Sequence, residues 1–231
     1  MLKKIRLLGT EIDNYTAHEA LEQVEAMLEA GRMDTVTTVT TFLLRSAETN
    51  ELVRRCLERA SLTIIGEEEI LHAAGLDTTE RKNEVRTHFF FREFMKRIER
   101  NHKKVFLLTD EEERLQMLTD WLEKNLENGL TIVGTQTMAK VANDWDQAVN
   151  EINAQSPDVV LSLIRSPVQE EFLAKNRNRL DVRIWYGIAG KDLAGEEKNS
   201  LRVRLRRRIR GFVLKRQAGK HGSSDSPVLV I

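Results

Sequence analysis

Residues 157–180, "PDVVLSLIRSPVQEEFLAKNRNRL", decide how the rest of the chain is read, because an apolar run breaks off at "RSP" and a charged helical pattern begins. The run has the length and the aliphatic, β-branched composition of a buried strand. Pro167 suits a first helical position, where its missing N–H is not needed, and Ser166 with Gln169 has capping-box spacing. The junction therefore reads as a strand-to-helix turn. In open α/β sheets, ligands bind at the carboxyl ends of strands, against the N-termini of the helices that follow. A plain helix cap is the other reading of Ser166 and Gln169.

Outward from that turn the same alternation recurs. "KIRLLG" (4–9), "DTVTTVT" (34–40), "SLTIIG" (61–66), "KVFLLT" (104–109), "LTIVGT" (130–135) and "VRIWYGIA" (182–189) are strand candidates separated by helical patterns. Strands alternating with helices predict an α/β fold with a mostly parallel sheet and helices on both faces. Thr16 with Glu19 and Thr109 with Glu112 repeat the capping-box spacing, and Thr40 or Thr41 is placed to cap the helix after "TVTTVTTF". Phe90, Phe94 and Ile98 recur at helical intervals and predict a core-facing helix.

Composition narrows the function classes. The 231 residues carry 36 Lys plus Arg and 36 Asp plus Glu, so no overall charge argues for nucleic acid. The only cysteine, Cys56, excludes an internal disulfide and is expected as a buried, inert thiol. No apolar stretch approaches the roughly 20 residues of a membrane span, and the N-terminus does not resemble a signal peptide. G-x-G-x-x-G, the glycine-rich nucleoside triphosphate loop and G-x-S-x-G are absent, and the five histidines show no metal-ligand spacing. No metal or other cofactor is expected.

Two acidic clusters, Glu111 to Glu113 and Glu67 to Glu69, stand at helix starts, where the dipole favours acids facing water. The second also follows a strand end, where a positioned carboxylate could serve as a general base. Residues 199–216, which include "SLRVRLRRRIRGFVLKR" from Ser200 to Arg216, combine Leu201, Leu205, Ile209, Phe212 and Val213 with Arg202, Arg206, Arg207, Arg208 and Arg210. A basic amphipathic helix of this kind fits an anionic membrane surface, RNA or a phosphorylated ligand, and the membrane is the partner expected here. Three parts follow: an α/β domain over 1–198, this helix over 199–216, and a loosely ordered Gly- and Ser-rich tail over 217–231.

Three stretches together resemble the WecG/TagA/CpsF glycosyltransferase family. "LGTEIDNYTAHEAL" is similar to the family's LGxxIDNxTxxEAL, with Gly9, Ile12, Asp13, Asn14, Thr16, Glu19 and Ala20 in place. "PDVVLSLIRSPVQEEFLAKNRNRL" is similar to PDxLLVGLGxPKQExWIxxNRxxL, and "GIAGKDLAG" resembles GGxFDFLAG. The resemblance implies a Rossmann-like sheet and transfer of a hexosamine-type sugar from a UDP-sugar to a lipid-linked acceptor in envelope polysaccharide or teichoic acid synthesis. It implies no metal requirement, and it points to a cytoplasmic protein peripheral on the inner face of the cytoplasmic membrane. By the same resemblance Thr38, Thr40, Ser166, Gln169 and Asp192 would bind substrate. Arg202, Arg206, Arg207 and Arg210 would meet the acceptor or the anionic membrane. Self-association is left open.

The chain departs from the family pattern at the reacting centre. Gly66 falls where the family's "PDG" has its aspartate, which leaves Glu67 as the nearest candidate base. Arg165 and Val168 replace the glycine and lysine of "GSPKQE", Thr87 to Phe89 replace "GSD", and Lys191 replaces the aspartate of "FDFLAG", with Asp192 one place on. Two readings stand: a sugar transferase using Glu67, and a non-catalytic relative that binds a nucleotide-sugar or a partner protein.

Overall fold

The computed structural model describes residues 3–139 and 144–193. In chain order the elements are β1 (Lys4–Leu7), β2 (Thr10–Asp13), α1 (Ala17–Glu29), β3 (Asp34–Val39), α2 (Thr41–Thr49), α3 (Glu51–Glu58), β4 (Leu62–Ile65) and α4 (Glu68–Ala73). They continue with α5 (Thr79–Arg86), α6 (Phe89–Arg100), β5 (Lys104–Thr109), α7 (Glu112–Asn125), β6 (Thr131–Thr137), α8 (Trp145–Gln155), β7 (Val159–Leu163), α9 (Val168–Asn176) and β8 (Ile184–Gly187). The expected basic helix at 199–216, with its arginines, and the tail at 217–231 lie outside the described residues.

Six strands form one parallel sheet in the order β4-β3-β8-β7-β5-β6. The α/β expectation is met. Its central strands are covered on both faces, which is why they read as unbroken apolar runs. Neighbours on β8 show the two sides: Tyr186 packs in the core beneath α1, α6 and α7, Trp185 in the core beneath α8 and α9, and both are fully buried. The rings of Phe90, Phe91 and Phe94 surround Tyr186 edge-on at 5.9, 5.9 and 5.3 Å. The amphipathic "HFFFREFM" pattern thus becomes the main aromatic contact with the sheet.

The first strand candidate is corrected. β1 does not join the parallel sheet but pairs with β2, which lies inside the "TEID" motif, as an antiparallel hairpin. The two turn residues Leu8 and Gly9 both have positive φ, 47° and 76°, the geometry that matches the twist of a tight hairpin. Asp13 fastens this hairpin to β4, accepting from the Thr63 amide at 2.8 Å and the Thr63 hydroxyl at 3.0 Å.

Of the predicted capping boxes only Thr16 with Glu19 forms, with both reciprocal hydrogen bonds. Thr109 ends β5 and donates its hydroxyl to the Glu111 carbonyl, so α7 begins without a side-chain cap. Ser166 and Gln169 do not cap α9 either. The Ser166–Pro167 bond is cis, Pro167 stands just before the helix rather than at its first residue, and no side chain caps that end. Thr40 does cap α2, accepting from the Leu43 amide at 3.1 Å. Cys56 is half-buried rather than buried, and burial raises its thiol pKa.

Candidate active site

The strand order brings the carboxyl ends of β3, β8 and β7 side by side, with Thr37, Gly187 and Ser162 at one level. Above them opens a cavity of about 320 Å³ lined by Thr38, Thr40, Phe42, Arg114, Ser166, Gln169 and Gly187 among others. Two of the segments singled out in the sequence, "TVTTVTTF" and "RSPVQE", therefore share one cleft of a size that suits a small ligand.

Each side chain there has an identifiable support. Thr38 is buried and its hydroxyl shares a 3.0 Å hydrogen bond with the Tyr186 phenol. Burial, with the Asp192 carboxylate adding to it, pushes that phenol well above its ordinary pKa, so it stays protonated and holds Thr38 in one rotamer. Gln169 is 6% exposed and lies across the end of β8: a Cβ on Gly187 would sit 2.6 Å from its Nε2. Only glycine leaves that room. The Gln169 Oε1, the Ser166 Oγ and the Glu170 Oε2 are all buried without a hydrogen-bond partner. Buried polar groups are normally satisfied, and these three lie together on the turn that borders the cavity. Burial also raises the Glu170 carboxyl; Ser166 and Gln169 lie close enough to moderate that rise, but neither completes a hydrogen bond to Oε2.

Arg165 also borders this cavity. It binds Asp110 at 2.6 Å and also pairs with Glu111, so part of the acidic cluster expected to face water is engaged across the β5 and β7 ends.

Glu67 belongs to the neighbouring cavity of about 590 Å³, which it lines with Gly66, Glu68, His88 and Lys191. It does not stand in water as a helix-start acid would. It is 6% exposed, accepts from the Thr41 amide at 2.8 Å, and is ion-paired with Lys191 at 2.6 Å. Burial alone would raise its pKa, but Lys191 and Thr41 together hold the carboxyl below the usual range. Because Gly190 and Thr40 line the first cavity while Lys191 and Glu67 line the second, the two spaces adjoin across this ion pair. A side chain at position 66 is sterically closed: a Cβ there would meet Thr38 Cγ2 at 2.5 Å and the Val39 carbonyl at 3.0 Å. The first carboxylate after this strand end is therefore Glu67.

Asp192 lies apart from the Gln169 cavity. It is buried, accepts from the Ala189 amide at 2.9 Å, and comes within 3.5 Å of His88 Nδ1, with Tyr186 beside it around a small enclosed space. It organises the loop after β8. Sequence reading did not assign roles to Tyr186, Gly187 or Lys191, whose partners are distant in the chain. One signal for Lys191 was present, the reversal of charge where the resembling motif has an aspartate.

Comparison with curated proteins finds no match. The family model described as glycosyl transferase WecG/TagA/CpsF matches residues 5–195, a span that holds all but the first residue of the hairpin, the six strands of the sheet and the two adjoining cavities. With that span matched and the parallel sheet carrying the cleft where the motifs converge, the chain belongs to the WecG/TagA/CpsF glycosyltransferase family.

Proposed function

We propose that this protein transfers a hexosamine-type sugar from a UDP-sugar to a hydroxyl of a lipid-linked acceptor in envelope polymer synthesis, with the donor held in the Gln169 cleft. The observation that carries this reading is the buried, partly unsatisfied Gln169 carboxamide beside Thr38 at the carboxyl ends of parallel strands. In the reaction, Glu67 accepts the proton of the acceptor hydroxyl as its oxygen bonds to the anomeric carbon. The bond from that carbon to the donor phosphate breaks, and UDP leaves with the electron pair. Thr38, Thr40, Ser166 and Gln169 supply polar contacts to the donor, and Arg114, which also approaches Asp110 at 3.4 Å, borders the cavity on the side of the leaving diphosphate.

Among the described residues no helix is long and apolar enough to cross a membrane. In this reading the acceptor is met at the surface, with Arg202, Arg206, Arg207 and Arg210 binding its diphosphate or the anionic lipid around it on the inner face of the cytoplasmic membrane.

A second reading, binding without transfer, is favoured by the Lys191–Glu67 ion pair, which occupies the carboxylate needed as base. Calorimetric titration with UDP and UDP-N-acetylhexosamines, followed by transfer assays on the parent and Glu67→Gln, separates them. Binding together with turnover that falls about 10²- to 10⁴-fold in Glu67→Gln supports the transferase. Binding without turnover supports the second reading, and equal turnover in both proteins removes Glu67 from the mechanism.

A further inference from the structure

We propose that Lys191 is a donor-operated latch on Glu67: the diphosphate of the bound nucleotide draws the Lys191 ammonium off the carboxylate and so frees it to act as a base. The inference rests on the reading of the Gln169 cleft as the donor site.

The two partners of the ion pair differ sharply in freedom. The Glu67 side chain is 5% exposed and fixed by the Thr41 amide, whereas the Lys191 side chain is 62% exposed. A lysine ammonium is a point charge on a flexible stem with three rotatable donors, so it can exchange one anion for another without moving the backbone. It stands at the right border, since Lys191 lines the Glu67 cavity and the adjacent Gly190 lines the Gln169 cavity. A diphosphate carries more charge than one carboxylate and competes for the ammonium on favourable terms.

Other charged groups nearby are otherwise engaged. Glu68 pairs with Arg86 at 3.1 Å, Lys82 approaches Asp77 at 3.7 Å, and His88 faces Asp192. The exposed Glu69 attracts Lys191 from the same helix as Glu68 and offers it a second resting partner. Once Lys191 leaves, Glu67 keeps the hydrogen bond from the Thr41 amide, and burial then drives its proton affinity upward. The same movement therefore binds the leaving group and strengthens the base, and it keeps the carboxylate neutralised while the cleft holds no donor.

The test reads proton linkage and does not require turnover. UDP is titrated into the full-length protein at about pH 5, near the ordinary carboxyl range, in two buffers of different ionisation enthalpy. The expected result is a greater proton uptake in the parent than in Glu67→Gln, the comparison that subtracts the nucleotide's own phosphate protonation. Lys191→Met is expected to bind UDP about tenfold more weakly and to lose the Glu67-linked uptake. Equal uptake in the parent and Glu67→Gln, or undiminished UDP affinity in Lys191→Met, overturns the latch while leaving the donor site standing. A parent that binds neither UDP nor a UDP-sugar overturns the donor site and the latch with it.

Discussion

A methyl group added at Gly66 probes the steric exclusion that bars a side chain from the position just before Glu67 at the end of β4. In Gly66→Ala the new Cβ would lie 2.5 Å from Thr38 Cγ2 and 3.0 Å from the Val39 carbonyl. Thr38 cannot turn aside freely, because rotation would break its 3.0 Å hydrogen bond to Tyr186 inside a fully buried aromatic cluster. Overpacking of this kind costs about 1–3 kcal/mol, and about 2 kcal/mol is expected here. Thr38→Ser deletes the offending methyl and keeps the hydroxyl; on its own it should cost about 0.5–1.5 kcal/mol, as other single-methyl deletions do. In the double variant the added Cβ meets only the Val39 carbonyl, so the two costs should fall short of additive by about 1 kcal/mol. Urea unfolding of all four proteins, with midpoints compared at a common slope, measures that coupling. Additivity within about 0.5 kcal/mol would show that the methyl is accommodated elsewhere and that position 66 is not closed by Thr38.

Three further outcomes are expected. Gly187→Ala should push Gln169 aside, since its Cβ would fall 2.6 Å from Nε2, and weaken UDP binding by about tenfold or more with unchanged circular dichroism; unaltered calorimetric affinity would separate Gln169 from the donor. Two of the buried carboxyls, Glu67 and Glu170, should give opposite pH responses in urea midpoints. Glu67 has a folded pKa below its unfolded value, so its stabilisation is present above about pH 4.3 and is lost as pH falls through the folded value, a loss missing from Glu67→Gln. Glu170 has a raised folded pKa, so the parent loses stability as pH rises from about 4.3 through that value, and Glu170→Gln should flatten the decline. Finally, removing residues 199–231 should abolish co-sedimentation with anionic vesicles, and undiminished sedimentation would remove the basic segment from membrane attachment.

The sheet was legible because each buried strand is a short apolar run bounded by polar punctuation, and "VVLSL" and "IWYG" could be little else. β2 escaped because "TEID" alternates too briefly to show a period, and its role is to present Asp13 to Thr63 fifty positions on. The capping-box pattern misled at Thr109 and at Ser166 for a shared reason. At both, the residue belongs to the end of a strand or to the turn after it, and the helix starts later than the spacing implies. The site was legible only as far as its segments. That β3 and β7 both adjoin β8 follows from strand order, which periodicity does not encode. The Thr38–Tyr186 bond, the Gly187 gap and the Lys191–Glu67 pair all arise from that adjacency, so none could be read from local sequence.

The placement of β8 also governs when this protein can become functional. It is the last described strand to emerge during synthesis, yet it fills the slot between β3 and β7. Until residues 184–187 arrive, those two strands present open hydrogen-bonding edges to each other's side of a gap, a situation that invites pairing with other nascent chains. Closure of the gap and assembly of the Thr38–Tyr186 and Gln169–Gly187 contacts are the same event. A chain that stalls before β8 therefore has both strand edges open and lacks the contacts that shape this cleft.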